Sequence, residues 1–255
     1  MILTMLYKYS AVSLTVATVI LYAVIGCRPE ANSLPEVISR HTEAMGGRSA
    51  LESVNSIEFQ LHIADPNFEV DAVYRAMRPG RMRIDVIAGG KHVYTEAFNG
   101  VRGWQWKGKG GIIEEKPEAA AALRHGIELP GKLFGLHELQ SRGHQLALVG
   151  REPISGINYF VLQATLSDGY STRLYVDPNS WLVTRKRDFR PLHVDIDPRP
   201  TTIETVFSDF RNVSGVKFPF MSVDTDLETR KILETAHVNQ IVANPQVSPA
   251  IFDNL

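Results

Sequence analysis

The stretch Ser56–Ala64, "SIEFQLHIA", decides the fold because its side chains alternate strictly between apolar and polar. The apolar set is Ile57, Phe59, Leu61 and Ile63, and the polar set is Glu58, Gln60 and His62. Successive side chains of a β-strand point to opposite faces of the sheet. The stretch therefore predicts a strand with one dry and one wet face.

The same alternation continues on both sides of a series of short turns. It recurs in "FEVDAVYRAM" (68–77), in "GRMRIDVI" (80–87) and over most of the chain after residue 144. Turns that contain glycine or proline, such as "RPGR" and "AGGK", separate these runs. Alternating runs joined by short turns indicate antiparallel hairpins. We count about eleven strands and predict a strongly curved antiparallel sheet, an unclosed β-barrel in a mainly β fold (α+β).

Two segments break the alternation and predict helices. "SLPEVISRHTEAMGG" (33–47) has apolar residues at helical spacing, a capping box formed by Ser33 and Glu36, and a double glycine at its end. "KPEAAAALRHGIELPGKLFGLHELQSRG" (116–143) predicts two short helices separated by residues 126–130. A large twisted sheet needs a cover on its apolar face, so we expect these helices to form a lid. Residues 34–255 are predicted to form a single domain.

The first 26 residues differ from the rest of the chain. Residues 11–26, "AVSLTVATVILYAVIG", carry no charge and predict a signal peptide that covers residues 1–26. The residues "VIGC" end at Cys27, the only cysteine, and resemble a bacterial lipobox. The resemblance implies lipid attachment at Cys27, followed by a lipidated tether, residues 27–33. The alternative is an uncleaved anchor helix whose cysteine is incidental.

Composition excludes several function classes. The 255 residues carry a net charge of -1, and hydrophobic residues make up 44% of the chain, which suits a globular domain with a core. This charge balance gives no case for a nucleic-acid partner. A single cysteine excludes an internal disulfide and a cysteine-rich zinc site.

The chain shows no arrangement of residues that is typical of an enzyme, a metal site or a cofactor site. It lacks a paired-histidine helix motif and a nucleophile elbow. His193, Asp195 and Asp197 alternate in "PLHVDIDPRP", and we interpret this stretch as a solvated loop edge rather than as a metal site. Arg185, Lys186, Arg187 and Arg190 cluster in "TRKRDFR". We interpret them as a solvated strand face, and contact with lipid headgroups is the alternative.

The order of these elements resembles the LolA/LolB/LppX superfamily and, within it, the outer membrane lipoprotein-sorting protein group. The resemblance rests on "AMGGRSALESVNSIEF", "AMRPGRMRIDV", "EAFNGVRGWQW", "LYVDPNSWLVTRKRDF", "FSDFRNVSGVKFPF" and "NPQVSPAIF". It covers residues 34–255 and implies an unclosed barrel that encloses an apolar cavity for acyl chains. In the soluble carriers, an arginine of an Arg-Pro pair holds the lid shut, and Arg78 stands at the matching place; the alternative is a solvated arginine at a turn.

Further candidate residues belong to this cavity and its surroundings. Trp104, Trp106, Phe59 and Leu61 are the candidates for its lining, although large aromatic side chains also fill ordinary cores. The projecting loop of the receptor proteins, which carries an exposed leucine, has no assigned counterpart. Leu129 and Leu133 are the candidates for that leucine.

Together these patterns predict a membrane-anchored bacterial lipoprotein without enzymatic activity. It would bind acyl chains of lipids or lipoproteins and take part in their sorting or transport at the outer membrane. Its place would be the cell envelope, with the lipid anchor in the outer membrane and the domain facing the periplasm of a Gram-negative host. The alternative is a cell-envelope interaction or assembly module that binds an envelope protein and has a packed, ligand-free core.

Overall fold

The alternating segments form one sheet of thirteen antiparallel strands. A computed structural model describes residues 33–192 and 197–253 of the protein. The strands are β1 (Ser56–Asp65), β2 (Phe68–Met77), β3 (Arg81–Ala88), β4 (Lys91–Phe98), β5 (Gly103–Trp106), β6 (Ile112–Glu114), β7 (Gln145–Ile154), β8 (Ile157–Thr165), β9 (Ser171–Val176), β10 (Val183–Arg190), β11 (Thr201–Val213), β12 (Val216–Asp226) and β13 (Ile232–Ala243).

Neighbouring strands of the sheet are consecutive in sequence, except for one pair of strands that are distant in sequence. Its strand order is β6-β5-β4-β3-β2-β1-β13-β12-β11-β10-β9-β8-β7, so the first and last strands pair in the middle. The two ends, β6 and β7, do not pair with each other, and twist bends the sheet into an unclosed barrel. The predicted curved, unclosed, mainly β fold is confirmed. The predicted count of about eleven strands is wrong, since short strands such as the three-residue β6 are too brief to show an alternating pattern.

In the described part of the chain, three α-helices accompany the sheet: α1 (Leu34–Ala44), α2 (Arg48–Ser53) and α3 (Pro117–Glu128). Helix α1 begins as predicted, but the Ser33 side chain makes no capping hydrogen bond. The middle segment forms one α-helix and a 3-10 turn, Leu136–Glu138, instead of two short helices. Helix α3 continues through Gly126, and it ends where Pro130 favours an extended conformation of Leu129.

The inner face of the curved sheet packs against these helices in two apolar clusters. One cluster joins α2, the end of α3 and the loop after it to β1–β3 and β11–β13; it includes Ile57, Tyr74, Ile127, Phe134 and Phe218. The other joins α1 and the 3-10 turn to β7–β9; it includes Val37, Leu136, Phe160, Leu162 and Leu174. Burial of these side chains, worth about 1.5–3 kcal/mol for each large one, holds the helices on the sheet.

The outer face of the sheet is covered locally by the C-terminal segment. A 3-10 turn, Pro249–Phe252, lies against β3 and β5, and Phe252 is fully buried. The Trp104 indole N–H donates to the Phe252 carbonyl (2.7 Å), and Arg83 donates to the Ile251 carbonyl (2.9 Å). Both faces of the sheet therefore carry buried side chains near β5.

The predicted signal peptide, Cys27 and residues 27–32 of the tether lie outside the described residues. All described residues belong to one compact unit. Among them, no helix has the length and apolar character needed to cross a membrane. His193 and Asp195 also fall outside the described ranges, and Asp197 pairs with Arg199 (2.6 Å).

Candidate functional site

A cavity of about 340 Å³ lies between the inner face of the sheet and the segments that cover it. Helix α1 contributes His41 and Met45, and the end of α3 and the loop after it contribute residues 129–132. Most of the wall is apolar. The apolar strand residues of the wall are Phe59, Leu61, Ile63, Tyr74, Ile84, Leu174, Val183, Phe207, Phe210, Pro219, Met221, Ala236 and Val238. The volume is at the lower end of the roughly 300–1,000 Å³ range of small-molecule sites.

The structure separates the four residues proposed to line a cavity into two pairs. Phe59 and Leu61 lie in the cavity wall. Trp104 and Trp106 do not: Trp104 binds the Phe252 carbonyl on the outer face, and Trp106 stacks on His92 at 4.6 Å. In the antiparallel register Trp104 is opposite Ala97, which is opposite Arg83, next to the inward-facing Ile84. The two tryptophans therefore point away from the cavity.

One end of the cavity is polar, and a cross-strand row forms it. Lys186 of β10 is opposite Thr205 of β11, Thr205 is opposite Asp224 of β12, and Asp224 is opposite Glu234 of β13. All four residues line the cavity, together with Arg190. Residues directly opposite each other in an antiparallel sheet share a face, so four strands bring their polar side chains together inside the barrel.

Ion pairs neutralise much of this charge. Lys186 pairs with the buried Asp188 (2.7 Å), and Arg190 pairs with Asp224 (3.0 Å) and lies 3.5 Å from Asp188. Burial by itself raises the pKa of the Asp188 carboxyl, but Lys186 and Thr172 outweigh burial and lower it. Lys186 and Arg190, the two cations of β10 that line the cavity, are therefore paired with carboxylates of the protein itself.

Glu234 behaves differently from the other two acids. Burial, followed by the nearby Asp224 carboxylate, raises the pKa of Glu234 to about 7. Near neutral pH this carboxyl is therefore partly protonated, and in that form it is a hydrogen-bond donor.

Lys132, in the loop after α3, brings a further cation to the cavity. Its ammonium lies 4.2 Å from the centroid of the Tyr74 ring, a cation–π contact. Lys132 is an exposed residue, and it is one of the residues that line the cavity. Burial, together with the charge of Lys186, lowers the pKa of Lys132 to about 8, so the group stays largely charged at neutral pH.

The cavity wall also contains three hydroxyl residues, Tyr74, Thr205 and Ser222, and a histidine, His41. The Tyr74 hydroxyl and the Thr205 hydroxyl are buried, and neither has a hydrogen-bond partner in the described part of the chain. His41 donates from Nδ1 to the Trp181 carbonyl (2.8 Å). Burial lowers the pKa of His41 to about 4, so its ring is neutral near pH 7.

Arg78, the residue proposed to hold the lid shut, joins three segments beside the cavity. Its guanidinium donates to the carbonyl of Val54 (2.9 Å) and to the carbonyl of Leu133 (2.9 Å). It also binds both carboxylate oxygens of Glu138, at 2.6 and 3.1 Å. One side chain of the β2–β3 turn thus ties the end of α2 to the loop that carries Lys132.

Glu138 is a buried partner that depends on this contact. Burial alone raises the pKa of the Glu138 carboxyl, but hydrogen bonds from Arg78 and from the Gly135 N–H outweigh burial and lower it. The Phe134 ring lies between two guanidiniums, with Arg78 at 4.6 Å and Arg142 at 3.4 Å from its centroid. These contacts fix residues 133–138 against the sheet.

Two interpretations of surface residues do not hold. Leu129 and Leu133, the candidates for an exposed leucine, are buried, at 6% and 4% exposure, because they pack in the apolar clusters. The basic cluster of "TRKRDFR" is divided between faces and is not a solvated one. Arg185 and Arg187 bind Glu204 on the outer face (2.8 and 2.7 Å), whereas Lys186 and Arg190 line the cavity.

The polar end of the cavity was missed by the sequence analysis, although part of its signal was present. Lys186, Asp188 and Arg190 alternate along β10, which indicates a shared face. Nothing local shows that this face is the inner one. Lys132, Asp224 and Glu234 come from separate segments, and only the pairing of strands brings them together.

Comparison with known proteins finds the same fold in several solved structures. A LolA superfamily protein from Nitrosomonas europaea has a TM-score of 0.56 and 13% identity over 87% of this chain and 98% of its own. A DUF1329 family protein from Desulfovibrio piger has a TM-score of 0.56 and 10% identity over 87% of this chain and 98% of its own. A protein from Vibrio parahaemolyticus described as an outer membrane lipoprotein-sorting protein domain has a TM-score of 0.55 and 10% identity over 86% of this chain and 95% of its own.

These likenesses establish the fold and no more, because the identities are low. No protein-family model matches the sequence, and no curated protein matches it. The fold implied by the sequence resemblance, that of the LolA superfamily, is confirmed.

Proposed function

We propose that the protein is a membrane-anchored bacterial lipoprotein that binds acyl chains in the cavity. In this role it receives, holds or passes on a lipid or the lipid part of another lipoprotein at the outer membrane. The observation that carries the proposal is the cavity of about 340 Å³, walled mainly by apolar side chains inside the curved sheet.

Apolar burial supplies the binding free energy in this proposal. Each methylene group that leaves water for an apolar environment contributes about 0.8 kcal/mol. Phe59 and Leu61 of β1, Phe210 of β11 and Val238 of β13 face the same space. A flexible acyl chain suits such a wall, since it needs no polar partner along its length.

The loop after α3 acts as the cover of the bound chain, and Arg78 holds it in place. The support is the set of hydrogen bonds from Arg78 to the Leu133 carbonyl and to Glu138. Because the Val54 carbonyl also holds Arg78 in place, opening of the loop requires the contacts of Arg78 with Leu133 and Glu138 to break together. Arg78 is thus a positioning residue for the cover and does not itself touch the cavity.

The cell-envelope location rests on the N-terminal sequence and on the fold. The uncharged run before Cys27 and the "VIGC" residues support lipidation there. Arg28 follows the cysteine, where aspartate would favour retention in the inner membrane, and this supports an outer-membrane anchor. A protein with the same fold is described as a lipoprotein-sorting protein domain.

The cavity favours this proposal over an interaction module with a packed core. In a packed core, side chains would fill the space between the sheet and its cover. We propose binding rather than catalysis, because the cavity wall combines apolar side chains with internally paired charges. A protein partner in the envelope is compatible with the lipid role as the donor or acceptor of the chain.

Photo-crosslinking of the full-length protein in isolated bacterial membranes tests the proposal. A diazirine-bearing C16 fatty acid should label cavity peptides such as residues 56–65, identified by mass spectrometry. Ala236→Phe places a ring in the cavity, since Ala236 lies in its wall, and should reduce this labelling several-fold. Ala147→Phe is the matched control, because Ala147 is exposed on edge strand β7.

Two outcomes would contradict acyl-chain binding. One is the absence of label on cavity peptides of the wild-type protein. The other is equal cavity labelling of the Ala236→Phe and Ala147→Phe variants, because chains bound elsewhere would not be displaced by a ring in the cavity.

The anchor is tested separately. Labelled palmitate should be incorporated into the wild-type protein and not into a Cys27→Ser variant. Incorporation that does not depend on Cys27 would refute the anchor while leaving the cavity proposal intact.

A further inference from the structure

Among the described residues, Lys132 differs from the other cations of the cavity in having no carboxylate at salt-bridge distance. Lys186 and Arg190 are paired with Asp188 and Asp224. Within residues 33–192 and 197–253, no carboxylate lies within 4.0 Å of the Lys132 ammonium, and its close contact is the face of the Tyr74 ring. An enclosed ammonium without a counter-ion is unfavourable relative to a paired one. A ligand that brings negative charge would therefore be stabilised at this point.

The geometry leaves room for such a ligand beside Lys132. Lys132 is exposed and lines the cavity, and the apolar residues Phe59, Leu61 and Ile63 line the same space. An acyl chain lying against β1 can thus place its head at the loop after α3. The contact of Arg78 with the carbonyl of Leu133, the next residue, fixes the backbone that presents Lys132.

Two buried hydroxyl groups of the cavity wall carry hydrogen-bond donors that the described residues do not use. The Tyr74 and Thr205 hydroxyls lack hydrogen-bond partners in the described part of the chain, and both residues line the cavity. A buried polar group left without a hydrogen bond is unfavourable. A hydroxyl hydrogen can rotate toward an acceptor, but both oxygens are buried within the wall, so the headgroup contact is assigned to Lys132.

The acidic side chains at the polar end of the cavity repel an anionic headgroup less strongly than their number alone implies. Asp224 is paired with Arg190. Glu234 is partly protonated near pH 7 and in that form donates a hydrogen bond. Asp188 is paired with Lys186. The charge that remains to attract a ligand is that of Lys132.

We propose that the cavity binds an acyl amphiphile with an anionic headgroup, and that Lys132 binds this headgroup while the apolar wall takes the chain. The inference rests on the proposed function and specifies its ligand class. The shared chemistry is a carboxylate or phosphate attached to an acyl chain. Free fatty acids and lysophospholipids are the two sources.

The test compares probes that differ only in the head. Full-length protein in isolated bacterial membranes is titrated with C16 diazirine probes that carry a carboxylate, a phosphate (as lysophosphatidate), a hydroxyl or an amine. The measured quantity is the concentration for half-maximal labelling of cavity peptides. We expect the carboxylate or the phosphate probe to label at about tenfold lower concentration than the alcohol, since a hydrogen bond to a charged group is worth about a factor of ten or more.

Variants of Lys132 test whether this residue causes the preference for anionic probes over the alcohol. Lys132→Met should remove the advantage of the anionic probe and leave alcohol labelling unchanged, which also shows that the cavity is intact. Lys132→Arg should retain most of the advantage, because the charge is kept. Lys217→Met is the matched control, since Lys217 is exposed on β12, and it should behave as the wild type.

The outcomes separate this inference from the proposed function. Preference for the carboxylate identifies a fatty acid as the source, and preference for the phosphate identifies a lysophospholipid. Equal labelling by alcohol and anionic probes, stronger labelling by the amine, or an unchanged preference in Lys132→Met overturns the headgroup site while acyl binding stands. Absence of cavity labelling by every probe overturns the proposed function itself.

Discussion

Arg78 shows how one side chain decides whether a loop stays in place. Its fork of donors matches two backbone carbonyls and the Glu138 carboxylate at once, which a single ammonium cannot do. Glu138 is 9% exposed, so its charge relies on this partner. The Arg-Pro pair was recognisable in the sequence, but its partners lie 24 to 60 residues away.

Arg78→Ala should therefore destabilise the protein by about 3 kcal/mol, because removal of one partner of a buried ion pair leaves the other charge uncompensated. The measurement is urea-induced unfolding. Arg81→Ala, three residues along the same turn and strand, is the control and should change the free energy of unfolding by less than about 0.5 kcal/mol. Equal effects of the two substitutions would argue against the role of Arg78.

The buried His41 makes the free energy of unfolding depend on pH. Its pKa is about 4 in the folded protein, against 6.5 for an ordinary histidine. Between these values the unfolded state binds the extra proton, so the contribution of His41 to stability is lost as the pH falls from about 6.5 to about 4. The difference corresponds to about 3 kcal/mol.

His41→Asn keeps a donor for the Trp181 carbonyl and cannot titrate, so stability measured by urea unfolding should fall less steeply in the variant between pH 6.5 and 4. The comparison of two proteins is needed because Glu234, with its raised pKa of about 7, contributes with the opposite sign between about pH 4.5 and 7. Parallel pH profiles of the two proteins would refute a neutral buried His41.

At the scale of elements, the C-terminal 3-10 turn explains why the tryptophan prediction was misleading. Alternation along β5 correctly places Trp104 and Trp106 on one face, but it does not say which face is the inner one. The inner face of a sheet is usually recognised because its side chains are buried. Near β5 the outer face is buried as well, because Pro249–Phe252 folds back over it. That cover comes from a segment about 145 residues away in sequence.

Phe252→Ala should cost about 3–5 kcal/mol, since a fully buried aromatic ring is replaced by a cavity. Phe189→Ala offers a matched control: Phe189 lies on β10 with 67% exposure, and its loss should change stability by less than about 0.5 kcal/mol. Chemical unfolding of both variants measures the difference. If Phe252→Ala were as mild as its control, the C-terminal turn would not be a stable part of the fold.

On the scale of the whole molecule, the proposed cavity links ligand binding to global stability. A ligand that binds only the folded state stabilises it by about 2.7 kcal/mol at a hundredfold excess over its Kd. For a domain of this size the midpoint of thermal unfolding then rises by about 5–10 °C.

Tryptophan fluorescence of the full-length protein in lipid nanodiscs can follow this shift upon addition of palmitate. The Ala236→Phe variant should show a much smaller shift than the wild type, because the ring occupies part of the wall. A shift of the same size in both proteins would place the ligand outside the cavity.

The sequence by itself determined the kind and order of the strands, because the alternation of side chains is a local property that each segment carries. It also determined the curved, covered character of the sheet, since so many half-apolar strands must bury one face. Contacts made in the folded molecule establish which face is inner, that β1 pairs with β13, and that Lys132 lines the same cavity as the row from Lys186 to Glu234. These features arise from contacts between distant segments, whose free energy depends on the packing of the whole molecule.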